Sequence, residues 1–190
     1  QRIETIWDWA RAREYVEGEN PARLRGHLDK ILPNTAKVKR VKHHAALPYK
    51  EINSFIKKLR DQKGISVLAL EFMILTATRT GEVRGAKWQE IDFSTRVWTI
   101  PSDRMKAGKE HRIPLCNRAE KILNNLKSNR NPDDFVFLGW KNGMGLSDGT
   151  MLKLLKKMDI GPYTPHGFRS TFRDWAAEEA YKFANETVEL

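Results

Sequence analysis

Apolar residues recur along this chain with two different spacings, and each spacing predicts a different kind of element. Helical spacing occurs first from Ile3 to Glu14, and Gly18 ends that helix. It returns as an apolar stripe from Ile52 to Leu59, and the almost continuously apolar run from Val67 to Leu75 follows as a buried helix. We expect these last two helices to pack together.

After Trp88 the spacing changes to every second residue, which is typical of strands. Three short runs show it: Ile91 to Phe93, Val97 to Pro101 and His111 to Leu115. Helical spacing then returns in three runs: Arg118 to Leu126, Thr150 to Met158 and about Pro165 to Glu179. The pattern predicts a mainly α fold with a small three-stranded antiparallel sheet. Trp88, Trp98 and Trp175 fall in apolar runs, so we expect them in the core.

The charge balance adds a class of partner to this picture. The 190 residues include 34 Lys and Arg against 24 Asp and Glu, a net charge of +10, and the isoelectric point is about 9.8. Such basicity is typical of nucleic-acid-binding proteins. On charge alone, a basic protein that binds no nucleic acid is an equally good interpretation. The longest apolar stretch is much shorter than the ~20 residues of a membrane span, so we expect no membrane partner.

Cysteine and histidine usage argues against metal and disulfide chemistry. Cys116 is the single cysteine, so it has no internal disulfide partner, and no C-x-x-C pair for zinc is present. The five histidines lack ligand spacing, since His43 and His44 are adjacent and no second pair follows. We expect no metal and no cofactor. A lone cysteine and a polar N-terminal sequence favour a cytoplasmic location.

A histidine and an arginine stand three residues apart where the last helix is predicted to begin. These are His166 and Arg169, and Pro165 precedes them. Residues i and i+3 share a helix face, and the first turn has unpaired N–H groups and the positive end of the helix dipole. Together these features suit a phosphate, and the imidazole can also transfer protons near neutral pH. If each residue is considered alone, two alternatives remain open: Arg169 makes a surface ion pair, and His166 faces the solvent.

Two upstream segments supply further cations. Arg79 has a planar guanidinium that can pair with two phosphate oxygens at once. Glu82, three residues later, either orients that arginine or a nearby lysine, or makes a simple i,i+3 ion pair. Lys106 lies at the tip of the predicted hairpin, which is either a solvated basic loop or an arm that reaches into a DNA groove. The other cations of this hairpin are Arg104, Lys109 and Arg112.

In this order, these motifs resemble those of the tyrosine recombinases, and most closely the integrases of phages and genomic islands. Thr78 to Asp92 resembles the first-arginine segment of that family, and Ile100 to Leu115 resembles its lysine hairpin. His166-Gly167-Phe168-Arg169 resembles its His-x-x-Arg box. The resemblance covers roughly residues 47–190 and implies the fold of the tyrosine recombinase catalytic domain.

The same resemblance implies a domain organisation. Residues 1–33 are expected to be the C-terminal end of a core DNA-binding helical domain, and residues 34–47 a basic interdomain linker. Residues 48–190 are expected to be the catalytic domain without its C-terminal part. The cations expected to contact DNA are Lys37, Lys39, Arg40 and Lys42 in the linker, together with Arg104, Lys109 and Arg112 in the hairpin.

The resemblance also implies a reaction and its residues. Arg79 and Arg169 would hold the non-bridging phosphate oxygens, Lys106 would protonate the leaving 5′-oxygen, His166 would assist proton transfer, and Glu82 would support the site. A tyrosine would attack DNA to give a 3′-phosphotyrosine, with no cofactor. The implied partners are double-stranded DNA attachment sites and, for the full-length protein, three further copies in a tetramer on DNA. The oligomeric state of this fragment stays open.

The family's nucleophilic tyrosine has no counterpart in this sequence. It follows the His-x-x-Arg box by a few tens of residues, whereas Tyr181 comes too early and lacks the family context. We therefore expect this fragment to lack the nucleophile and to be inactive in strand cleavage. Two alternatives remain open: a type IB topoisomerase, and a non-catalytic DNA-binding relic of a recombinase.

Overall fold

A computed structural model of the chain describes residues 2–33, 45–105, 107–127, 131–140 and 143–179. The chain divides into two compact units, residues 1–43 and 44–190. Several residues singled out by the sequence lie outside the described ranges. These are Lys106, Tyr181, the adjacent histidines His43 and His44, and the four linker cations Lys37, Lys39, Arg40 and Lys42.

The first unit contains the predicted N-terminal helix. Helix α1 spans Arg2–Ala12, and a helical segment at Leu24–Leu28 leads into the single turn α2, Asp29–Ile31. Asn20 fastens the segment after α1 back onto that helix. Its side-chain amide donates to the Glu4 carbonyl oxygen at 2.9 Å and to the Asp8 carboxylate at 2.8 Å. The buried amide thus satisfies its donors within the unit.

The second unit is mostly helical, as the sequence predicts. After a 3₁₀ turn at Tyr49–Glu51, its helices are α3 (Ile52–Arg60), α4 (Ile65–Thr76), α5 (Thr80–Arg84), α6 (Asn117–Leu126), α7 (Thr150–Lys157) and α8 (Gly167–Glu179). Helix α3 buries only Phe55 and Leu59, whereas α4 is buried along most of its length because it packs against α3, α5, α6 and α7. The uniformly apolar sequence of α4 follows from this central position.

The predicted sheet is present and antiparallel. Its strands are β1 (Ile91–Asp92), β2 (Val97–Ile100) and β3 (His111–Pro114), in the order β1-β2-β3. Trp98 on the central strand pairs with Ile91 and Ile113 and is fully buried. Its ring lies 5.2 Å from that of Phe72 on α4, which joins the sheet to the helical core. The fold class predicted from the sequence is confirmed.

One tryptophan departs from the expectation of burial. Trp88 and Trp98 are buried, but Trp175 on α8 is 39% exposed, so its predicted core position is wrong. Helix α8 instead buries Phe168, Thr171 and Ala176, and Trp175 lies beside that face. Its ring packs against Phe172 at 5.7 Å. The apolar spacing predicts this helix correctly, but the buried stripe of α8 is narrower than its apolar sequence indicates.

A buried carboxylate ties three helices together. Glu71 on α4 is fully buried, and its carboxylate accepts hydrogen bonds of 2.6 and 2.8 Å from Arg60 and two of 2.8 Å from Arg118. Burial raises the pKa of a carboxylate, but here the hydrogen bonds and charges of Arg118 and Arg60 outweigh it and hold the pKa of Glu71 below its ordinary value. Helices α3, α4 and α6 meet at this carboxylate.

Candidate active site

Three of the predicted catalytic residues line one cavity. Arg79, His166 and Arg169 surround a space of about 210 Å³ in the second unit. Within the described ranges, the lining consists of Ala77, Arg79, His166, Arg169, Ser170, Phe172 and Arg173. Folding therefore brings together residues from the turn before α5 and from the start of α8. Lys106, the fourth predicted residue, lies outside the described ranges.

Glu82 fixes the position of Arg79. Arg79 is the N-cap residue of α5, and its backbone N–H donates to Glu82 Oε2 at 2.6 Å. Its guanidinium Nη1 donates to Glu82 Oε1 at 2.7 Å. Glu82 is buried, whereas 38% of the Arg79 side chain is exposed. The two interpretations left open for Glu82 therefore coincide, since its i,i+3 ion pair with Arg79 also orients that guanidinium.

Arg169 reaches the same cavity from the first turn of α8. Its guanidinium Nη1 donates to the carbonyl oxygen of Ala77, a residue that ends α4 in a left-handed conformation with φ 51°. Burial lowers the pKa of Arg169, the charge of Arg79 lowers it further, and Glu82 opposes both. Guanidinium groups remain protonated in proteins, so Arg169 is a partly buried cation that is held near a second cation, Arg79. A bound anion would relieve that repulsion.

His166 lies immediately before α8. Its carbonyl oxygen accepts the backbone N–H of Arg169 at 3.1 Å, and Thr164 Oγ1 accepts the N–H of Gly167 at 3.1 Å. His166 and Arg169 both line the cavity, as expected for residues i and i+3 at the start of a helix. The imidazole is thus placed beside the guanidinium of Arg169 at the end of the helix that favours anions.

The segment before α3 holds α8 along its length. The Thr171 hydroxyl donates to the Leu47 carbonyl oxygen at 2.6 Å. The Tyr49 hydroxyl lies 3.0 Å from a carboxylate oxygen of both Glu178 and Glu179. Burial and the hydrogen bonds to the two carboxylates raise the pKa of Tyr49. These contacts set the position of the helix that presents His166 and Arg169.

The predicted DNA-contacting cations of the hairpin have different surroundings. Lys109 and Arg112 are exposed. Arg104 is 21% exposed, and its guanidinium binds the Glu90 carboxylate and the Glu82 carbonyl oxygen. Glu90 also accepts the indole N–H of Trp98 at 2.9 Å. Arg104 therefore makes internal contacts that connect the hairpin base to α5, a role that the sequence did not suggest.

The sequence reasoning overlooked Arg173. It lines the cavity with Arg79 and Arg169, although no motif points to it. The available signal was its spacing, four residues after Arg169 and seven after His166, which places all three on one helix face. Arg173 adds a third guanidinium to the lining.

The described ranges offer neither a metal site nor a membrane-spanning helix. No group of three or more His, Cys, Asp or Glu side chains there could hold a metal ion. No helix in those ranges is long and apolar enough to cross a membrane. Of the described tyrosines, Tyr15 belongs to the first unit, and neither Tyr49 nor Tyr163 lines the cavity. What the cavity offers is guanidinium and imidazole groups, which suit an anion.

Comparison with known sequences agrees with this chemistry. The profile of the phage integrase family matches residues 46–184. The chain is 31% identical over 192 residues to prophage integrase IntZ of Escherichia coli (strain K12), covering 100% of this chain and 46% of that protein. It is 28% identical over 207 residues to the integrase of Enterobacteria phage P4, covering 100% of this chain and 45% of that protein. The chain thus spans less than half the length of these relatives.

Solved structures show the same fold. The Tn1549 transposon integrase in complex with circular intermediate DNA superposes with a TM-score of 0.63 at 18% identity, covering 98% of this chain and 66% of that one. A lambda integrase tetramer bound to a Holliday junction gives a TM-score of 0.65 at 16% identity, covering 98% of this chain and 54% of that one.

Proposed function

The chain belongs to the phage integrase family, and from this premise we propose that it is part of a site-specific tyrosine recombinase. The whole protein would integrate or excise phage or genomic-island DNA through a 3′-phosphotyrosyl intermediate. The observation that carries the proposal is the shared cavity of Arg79, His166 and Arg169. These side chains come from motifs far apart in sequence, and they match the residues that the family resemblance assigns to the phosphate.

The charges in the cavity suit a phosphodiester. Arg79 and Arg169 contribute two positive charges, and Glu82 contributes one negative charge. The net charge of these three groups balances the single negative charge of a phosphodiester. Each planar guanidinium can donate two parallel hydrogen bonds to non-bridging oxygens. Because Glu82 and Ala77 hold the guanidiniums in place before DNA binds, stabilising the charge of the transition state requires little reorganisation.

The reaction itself consists of strand cleavage, proton transfer and resealing. The tyrosine hydroxyl gives up its proton, with His166 assisting, as its oxygen attacks phosphorus; the bond to the 5′-oxygen breaks, and Lys106 gives that oxygen a proton. His166 hydrogen-bonds the phosphate and assists the proton transfer. Attack by the 5′-hydroxyl of the partner strand on the phosphotyrosine then reseals the backbone and releases the tyrosine. Side chains and DNA supply every group in this scheme, so it uses no cofactor.

We propose that the attacking tyrosine is not among these 190 residues. Tyr15, Tyr49 and Tyr163 all precede the His-x-x-Arg box, which the family's nucleophile follows, and Tyr49 also hydrogen-bonds to Glu178 and Glu179. Tyr181 does not match the family's sequence context. In-line attack requires a nucleophile held opposite the leaving oxygen. This chain by itself would therefore bind DNA without cleaving it.

The DNA-binding surface is proposed on charge and domain organisation. Residues 1–33 would end a DNA-binding domain, residues 34–47 would form a basic linker, and residues 48–190 would belong to the catalytic domain. The proposed phosphate contacts are Lys37, Lys39, Arg40, Lys42, Lys109 and Arg112, and Arg104 would act by supporting the hairpin base. The whole recombinase would act in the cytoplasm as a tetramer on paired attachment sites, consistent with the solved lambda integrase tetramer on a Holliday junction.

A nicked suicide substrate carrying the attachment site tests the reaction. The 190-residue chain should give no covalent protein–DNA band on a denaturing gel, whereas the chain extended through its native downstream residues should give one. Arg169→Ala in the extended chain should abolish the band. An extended chain that forms no adduct would contradict the proposed function. A band from the short chain that Tyr181→Phe abolishes would show that the nucleophile has been misplaced.

A further inference from the structure

Arg173 is a cavity cation whose charge has no partner among the described residues. The guanidinium of Arg79 binds Glu82, and that of Arg169 binds the Ala77 carbonyl oxygen. The Arg173 side chain is exposed, and in the described part of the chain it makes no hydrogen bond or ion pair. Of the acidic residues later on α8, Glu178 and Glu179 bind Tyr49 instead. An exposed arginine of this kind is available to an external anion.

The position of Arg173 relative to Arg169 suits a second phosphate. The two residues lie four positions apart on α8, so they share one face and are separated by about 6 Å along the helix axis. Successive phosphates of a DNA strand form a similar row of single negative charges along the backbone. A helix that holds one phosphate through Arg169 therefore presents Arg173 beside an adjacent one.

Charge balance points the same way. Arg79, Arg169 and Glu82 together carry one net positive charge, which already matches one phosphodiester. A third guanidinium on the same phosphate would add to the positive charge there, to which Lys106 also contributes in the proposed mechanism. On a neighbouring phosphate it would neutralise a second charge of the DNA and release a further counterion, which strengthens binding to a polyanion.

We propose that Arg173 binds the phosphate adjacent to the one held by Arg79 and Arg169, and so fixes the register of the DNA strand in the cavity. This inference rests on the proposed function, since it requires the cavity to receive DNA. Arg173 would contribute affinity and alignment without reading sequence, as phosphate contacts do. One helix would then hold two consecutive phosphates, one with Arg169 and one with Arg173.

The salt dependence of DNA binding tests the charge contact. A fluorescently labelled mixed-sequence duplex is titrated with the wild type, Arg173→Gln, Arg173→Lys and the control Lys121→Gln, an exposed charge on α6 outside the cavity. Loss of one phosphate contact should lower the slope of log K against log salt by about 1 and weaken low-salt binding roughly three- to tenfold. Arg173→Lys should restore the slope, and Lys121→Gln should change neither quantity.

A probe with a single phosphodiester separates the neighbouring phosphate from the first one. A dinucleoside monophosphate is titrated by NMR, with the His166 ring signals as the readout. Arg173→Gln should leave its affinity within twofold of wild type, because its one phosphate is held by Arg79 and Arg169. If Arg173→Gln lowers the affinity for this probe as much as it lowers the affinity for the duplex, Arg173 binds the first phosphate and the inference is overturned.

Different results would contradict the proposed function and the role of Arg173. A wild-type chain that does not bind the duplex at low salt would contradict the proposed function itself. Normal wild-type binding together with an Arg173→Gln variant that behaves like Lys121→Gln would overturn only the role of Arg173.

Discussion

The main chain of Gly167 lies directly against the carbonyl oxygen of Ala45. A methyl group built on Gly167 would stand 2.2 Å from that oxygen, well inside van der Waals contact. Only glycine allows the start of α8 to approach this segment so closely. Since His166 and Arg169 flank Gly167, the glycine of the His-x-x-Arg box serves the placement of its two functional neighbours.

Gly167→Ala should therefore destabilise the protein and weaken DNA binding. Because the obstructing atom belongs to the backbone, relief requires α8 or residues 45–47 to move, at a cost of about 1–3 kcal/mol typical of overpacking. Urea unfolding and duplex titration measure the two effects.

Gly81→Ala is the matched control for this prediction. Gly81 lies in α5 near Arg79, and a methyl group there would meet nothing within 4 Å. Alanine at a helical glycine with free space should stabilise by about 0.5–1 kcal/mol. If both variants unfold at the wild-type urea concentration, the close approach at Gly167 does not constrain α8.

Glu71→Gln should destabilise the fold in a pH-dependent way. Removing the buried carboxylate leaves Arg60 and Arg118 without their shared partner, and we expect a loss of about 3 kcal/mol at pH 7, the low end for breaking a buried pair. Both arginines are partly exposed, so water compensates in part.

The sign of the pH dependence follows from the lowered pKa of Glu71. Its pKa is lower in the folded state than the ordinary 4.5, so its contribution is full above pH 4.5 and disappears as pH falls through the folded value. The gap in unfolding free energy between wild type and Glu71→Gln should thus narrow on acidification below pH 4.5. The exposed Glu51→Gln serves as control. A gap that is the same at pH 7 and pH 3 would show that the Glu71 carboxylate is not the titrating group.

The sequence predicted the elements of this fold well because their signals are local. Apolar spacing located α3, α4 and the three strands to within a few residues, since each period reflects one buried face. It failed at Trp175, where the width of the buried stripe depends on what packs against α8. Local spacing carries no information about such neighbours.

The candidate site was less accessible to sequence reasoning. The motifs singled out Arg79, His166 and Arg169, but their convergence depends on how α8 packs, which no spacing encodes. Arg104 has the same residue type and loop setting as its exposed neighbours, yet the buried Glu90 binds it internally. Arg173 was overlooked for the opposite reason, because an arginine on a helix surface usually has no special role.

Lys106→Ala in the extended protein should slow strand cleavage and leave DNA affinity nearly unchanged. Loss of a general acid typically costs about 10²–10⁴-fold in rate. A substrate with sulfur in place of the leaving 5′-oxygen should restore most of the rate, because a thiol of pKa about 8.5 leaves without needing a proton. Lys121→Ala is the control on both substrates. An equal loss with the oxygen and sulfur substrates would assign Lys106 a role other than proton donor.

The central claim is that Arg79 and Arg169 hold the phosphate that is cleaved. A thermodynamic cycle that removes the charges of the two arginines and of the phosphate, separately and together, tests this claim most directly. The affinity of the wild type and of the Arg79→Ala/Arg169→Ala variant is measured for the attachment-site duplex, with either a normal phosphate or a neutral methylphosphonate at the scissile position. The wild type should bind the neutral linkage more weakly, whereas the double variant, which keeps only the His166 contact to that phosphate, should distinguish the two duplexes much less. The resulting coupling should be about 0.5–3 kcal/mol, as expected for groups in contact. If the losses of binding free energy from the double substitution and from the neutral linkage are strictly additive, the two arginines do not contact the scissile phosphate.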